Sequence, residues 1–139
     1  MIRFDVRSFL ISLVLFFVLV IIAIFLRDGI IRPFLGDTLA VIWLYFLAKS
    51  VLNVSVFRLS LGVLLVSYCV EFAQYFHIVS ILGLQDVKVA RIVLGSTFDV
   101  MDLVAYTLGW VVILIGSRVR LTAGARPGQS IKKLPPAAR

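Results

Sequence analysis

Four long apolar runs, broken by short polar stretches, set the pattern of this chain: about 9–26, 38–52, 59–76 and 100–117. Each approaches the roughly 20 residues an α-helix needs to cross a hydrocarbon core about 30 Å thick. The first, FLISLVLFFVLVIIAIFL, is apolar at every position but Ser12. Membrane β-strands alternate in polarity over segments of about 10 residues, so this continuity predicts helices. The run also exceeds the 7–15-residue apolar core of a signal peptide, and RDGIIRP offers no small-x-small cleavage site, so we read an uncleaved anchor.

Between the third and fourth runs the pattern changes. In QDVKVARIVLG, Val87, Ala90 and Leu94 fall on one side and Lys88 and Arg91 on the other. That spacing predicts a short amphipathic helix over 86–94, interfacial or re-entrant, ended by Gly95. The last stretch, 118–139, is rich in Pro, Gly and Lys/Arg with few large apolar residues, the composition of a disordered tail. The chain therefore reads as an all-α integral membrane protein: a four-transmembrane-helix bundle over 1–117 and a basic tail.

Composition agrees, with 62% hydrophobic and 15% charged residues and a mean hydropathy of +1.12. A net charge of +7 raises the question of nucleic acid. The basic residues flank the spans, however, and no aromatic–basic motif accompanies them, which points to anionic membrane lipids as the partner and excludes nucleic acid. Four spans place both termini on one side. Ten Lys and Arg fall on that side (Arg3, Arg7, Lys49, Arg58, Arg118, Arg120, Arg126, Lys132, Lys133 and Arg139), against Arg27, Arg32, Lys88 and Arg91 on the other. The positive-inside rule then makes both termini cytoplasmic.

The acids sort the other way. Asp28, Asp37, Glu71, Asp86, Asp99 and Asp102 all fall at or near the outer face, and Asp5 alone is cytoplasmic. Asp28 and Asp86 fit a solvated face. Glu71 and Asp102 lie within spans, where a carboxylate costs about 2.5–3.5 kcal/mol on insertion scales and marks a candidate functional site. At 1.5 Å per residue, Glu71 sits roughly 8 Å below the outer end of its span and Asp102 a few Å inside the next, at a similar level.

Helical spacing groups Ser67, Tyr68, Glu71, Gln74 and Tyr75 on one stripe, and Asp99, Asp102, Tyr106 and Gly109 on another. Both stripes should turn inward, since polar atoms facing lipid would go unsatisfied. Gly109 permits close helix approach. GSTFDVMD reads as a helix start at which Ser96 or Thr97 can cap and Asp99 meets the positive end of the dipole. Arg27, Arg32 and Arg91 are candidate partners for these acids; Arg91 can neutralise Glu71 or Asp102 or hold a lipid phosphate. His77 is a polar terminus or a proton shuttle. The lone Cys69 has no partner for a disulfide or cluster and reads as a small hydrophobe. No metal-ligand spacing and no cofactor motif is present.

GDTLAVIWLYFL, VEFAQ and VLGSTFDVMDLVAYTLG, in that order, resemble the bacterial membrane proteins grouped as domain of unknown function 2809, over about residues 32–110. The third and fourth spans also resemble the wider VanZ-like group, in which a Glu-x-x-Gln pair precedes an Asp with an Asn four and a Gly seven residues on. Glu71, Gln74, Asp102 and Gly109 match; Tyr106 stands where the Asn would be, and the connection between the two blocks is longer. The resemblance implies the fold, a bacterial inner-membrane location and the site more than any chemistry.

Four functions follow as expectations. Arg32, Asp37, Glu71, Gln74, Arg91, Asp99, Asp102 and Tyr106 can form a pocket for a cell-envelope lipid head group or amphiphile. Glu71 or Asp102 can serve as general base in a catalytic version, with no nucleophile–base pair in support. Glu71 can be the titrating site of a small proton-coupled transporter, or the cluster can simply pin the helices together.

Overall fold

Inside a hydrocarbon slab, backbone N–H and C=O groups find no water, so an apolar run long enough to cross it closes its hydrogen bonds internally as a helix. In the structure, a computed structural model, four helices do so: α1 (Val6–Phe25), α2 (Ile31–Val51), α3 (Val56–Tyr75) and α4 (Val100–Gly124). The described residues are 4–26, 29, 31–77, 81, 83, 86 and 98–124. Each helix contains a segment long and apolar enough to cross a membrane, and no strand forms among the described residues. The chain is an all-helical, multi-pass membrane protein.

The first three helices begin earlier than their apolar runs do, while α4 begins where its run does. α2 starts at Ile31, seven residues ahead of the run at Thr38, and so takes in Arg32, Pro33 and Asp37. Pro33 is tolerated because it lies in the first turn, where its missing N–H would lack a helical partner anyway. α1 and α3 likewise absorb Arg7 and Arg58. α4 continues to Gly124, so the stretch expected to be tail from 118 begins as helix. Of the amphipathic helix expected over 86–94, only Asp86, in an exposed turn, is described; the rest lies outside the described residues.

Among the described helices α1 packs on α2 alone, while α2, α3 and α4 contact one another. The buried face of α1 carries Ser8 and Ser12, one turn apart, small residues that let two backbones approach. Asp5 caps α1, its carboxylate accepting from the Arg7 N–H at 3.1 Å and the Ser8 hydroxyl at 2.6 Å. The Ser8 bond, first among its causes, holds the Asp5 carboxyl below the ordinary carboxylate range. The Asp5 N–H donates to the Ser50 carbonyl at 2.8 Å, tying the start of α1 to the end of α2.

The core lies between the other three helices, where Val41 and Tyr45 of α2 meet Leu59 and Val63 of α3 and Ile113 of α4. α2 and α4 come closest at Gly109. A Cβ there would stand 2.7 Å from the Thr38 carbonyl oxygen and 3.2 Å from Val41 Cβ. That proximity lets the Thr38 hydroxyl reach the Ala105 carbonyl across the interface at 3.2 Å, besides Phe34 O on its own helix at 2.9 Å. α3 is stitched to α4 by Tyr68. Because the Thr107 hydroxyl donates to the Leu103 carbonyl at 2.7 Å, the Tyr68 phenol is the donor in its 2.6 Å bond to Thr107 Oγ1.

Candidate functional site

The start of α2, the end of α3 and the start of α4 share one end of the bundle. Asp37 lies six residues after Ile31, Glu71 four before Tyr75 and Asp102 two after Val100. At 1.5 Å per residue these are depths of roughly 9, 6 and 3 Å. Four acids, Asp37, Glu71, Asp99 and Asp102, are thereby electrostatic neighbours.

Glu71 is fully buried, at 0% exposure. Its Oε1 accepts the Asp99 N–H at 3.0 Å, and its Oε2 accepts the Tyr106 phenol at 3.5 Å. Both donors come from α4 or the residue that precedes it. The first N–H groups of a helix have no partner within it and carry the positive end of its dipole, which suits them to a carboxylate. Asp99 serves the next donor itself, accepting the Met101 N–H on Oδ1 at 2.9 Å, while its carbonyl takes the Asp102 N–H at 3.1 Å. Two acids thus divide the start of α4. Asp99 caps it from within, and Glu71 clamps it to α3.

One turn further along α4, the Asp102 carboxyl is a close neighbour of Asp37 of α2. Unlike Glu71, both residues are only half-buried. Tyr106 is also half-buried, its ring packed against the core.

The remaining candidates are placed as follows. Gln74 is half-buried one turn beyond Glu71. Arg32 is exposed on the first turn of α2. Five residues separate it from Asp37, so at 3.6 residues per turn the two side chains leave the helix about 140° apart. Arg91 lies outside the described residues. Among the described residues, the partners of Glu71 are a backbone N–H and a phenol. His77 ends α3 with φ +50°, a left-handed position in which its N–H bonds the Gln74 carbonyl at 2.9 Å. Among the described residues no three His, Cys, Asp or Glu side chains are grouped to hold a metal ion.

Three contacts that position the site escaped sequence reasoning: Thr38 to Ala105, Tyr68 to Thr107, and the edge-to-face packing of Tyr75 on Phe98 at 5.2 Å. Each joins the α4 segment to α2 or α3. A usable signal was present in Thr38 and Thr107, the hydroxyl residues inside apolar spans near the stripe. Glu71 is enclosed, with one described donor on each oxygen, whereas Asp37 and Asp102 keep part of their surface exposed.

No curated protein and no solved structure matches the chain. A family model described as protein of unknown function (DUF2809) matches residues 26–110. The matched stretch is more than half of the 139 residues, and it takes in α2, α3, the start of α4 and all four acids. α1, which touches α2 alone among the described helices, falls before it. With the whole acidic cluster and the helix segments that build it inside the match, this chain belongs to the DUF2809 family.

Proposed function

We propose that this protein binds the head group of a cell-envelope lipid or similar amphiphile, as a VanZ-like protein of a bacterial inner membrane, where α2, α3 and α4 bring their acids together. The excess of Lys and Arg on the terminal side supports cytoplasmic termini, which sets the cluster near the outer leaflet. An amphipathic helix over 86–94 would then lie along that interface and bring Arg91 near the same head group.

One observation carries the reading: the cluster is divided into a closed part and an open part. Glu71 is sealed, both oxygens bonded within the protein, and it fixes the start of α4. Asp37 and Asp102 are half-buried neighbours. A primary ammonium carries three donors and a positive charge, so it can bond both carboxyl groups at once. An amine-bearing, zwitterionic head group fits best, its phosphate left for Arg32 or Arg91.

The test is mass spectrometry of amphiphiles that co-purify with wild type, Asp37→Asn and Asp102→Asn, all checked for unchanged melting. The expected result is selective depletion of one amine-bearing species in both variants. An unchanged profile in folded protein rejects the proposal. The burial of Glu71 and its bonds across to α4 also support a second reading, in which the whole cluster only pins helices. On that reading both Asn variants lose stability and keep every co-purifying lipid.

A further inference from the structure

We propose that the opposite end of the bundle, away from the acidic cluster, holds an anionic phospholipid. Its head group occupies a polar cleft, and one acyl chain lies in an apolar groove that meets the cleft at Lys49.

The cleft, of about 380 Å³, is walled by the start of α1 and the end of α2 and presents Asp5, Arg7, Lys49 and Asn53. The Asp5 carboxylate is already committed to the Arg7 N–H and the Ser8 hydroxyl. It keeps its negative charge beside Lys49, so the lining presents two cations, one anion and an amide, a net charge of +1. The groove, of about 470 Å³, runs between α2, the start of α3 and the end of α4, over Ile42, Tyr45, Phe46, Val112, Ile113 and Gly116. Lys49 lines both spaces.

Its ammonium lies 5.6 Å from the centre of the Tyr45 ring, so the charge sits at the mouth of the groove, in the last turn of α2. Ile42 is seven residues deeper, roughly 10 Å along the helix. Polar cleft, cation and apolar groove thus follow the order of a phospholipid read from head to chain, and charge complementarity selects an anionic head group. Lipid tails are as apolar as Leu, so burial of a chain gains little over its place in the bilayer. Selectivity therefore rests on Lys49 and Arg7, and the groove supplies fit. Gly116 leaves the room: a Cβ there would meet nothing within 4 Å. This site does not depend on the acidic cluster for its residues or its ligand.

The experiment is native mass spectrometry of delipidated full-length protein titrated with dioleoyl phosphatidylglycerol or dioleoyl phosphatidylcholine. Wild type should take its first phosphatidylglycerol roughly fivefold more tightly than phosphatidylcholine, as expected for one net positive charge at an anionic lipid. Lys49→Gln and the exposed Arg7→Gln should erase that preference. Gly116→Leu, which grows into the groove, should weaken both lipids. Asp102→Asn, at the far end, should change neither. Equal binding of the two lipids by wild type overturns the proposal, as does a preference that survives Lys49→Gln and Arg7→Gln or that follows Asp102 instead.

Discussion

Replacing Glu71 with Leu removes both acceptors that hold the start of α4, leaving the Asp99 N–H and the Tyr106 phenol without them. Hydrogen bonds between membrane helices average about 0.6 kcal/mol and reach about 1.7, so two of them amount to a loss of about 1–3 kcal/mol. The 3.0 Å bond to the helix start should dominate over the 3.5 Å bond to the phenol. Glu71→Gln separates shape from charge. Its carbonyl can still accept the Asp99 N–H, so the loss should shrink to the dipole interaction, about 0.3–1 kcal/mol. Reversible unfolding in mixed micelles, titrated with a denaturing detergent and followed by circular dichroism, measures both. Leu is by far the better residue for an apolar helix. A Glu71→Leu protein as stable as wild type, or more so, would refute the argument that Glu71 clamps α4 to α3.

Other consequences are checked in the same way. Gly109→Ala places a methyl group 2.7 Å from a backbone oxygen of α2, which cannot swing aside, and should lower stability by about 1–3 kcal/mol in the same unfolding assay. Tyr68→Phe should lose about 0.6 kcal/mol, and a double-mutant cycle with Thr107→Val should show that the two losses are not additive. Asp5 sets a pH dependence. Its folded-state value is depressed, so its contribution is complete above the unfolded value of 3.8 and fades as pH falls from there through the folded value. Asp5→Ala should therefore lower the melting temperature at neutral pH and flatten its acid limb in that window; an acid limb as steep as that of wild type would show that Asp5 does not set it.

The fold was legible because hydropathy alone dictates four helices. The beginnings of α1, α2 and α3 were not, since Arg7, Arg32, Asp37 and Arg58 interrupt the apolar runs while costing a helix almost nothing in backbone terms. The site was half legible. Helical spacing placed Glu71 on one stripe and Asp102, Tyr106 and Gly109 on another, and the structure turns each of these toward a neighbouring helix. The identity of the Glu71 partner was hidden for a physical reason. A buried carboxylate invites a search for an arginine, yet the unpaired N–H groups at a helix start carry no mark in the side-chain sequence. The approach of Asp37 to Asp102 was equally hidden, because helical spacing groups residues on one helix and does not say which face of α2 meets α4.

The division of the cluster into a sealed clamp and an open carboxyl pair is tested most directly by a cryo-EM map of the protein in nanodiscs of its native lipid. The account predicts head-group density within hydrogen-bond distance of Asp37 and Asp102, with Glu71 still held by the Asp99 N–H and Tyr106. A map in which only protein groups surround Asp37 and Asp102 would contradict it.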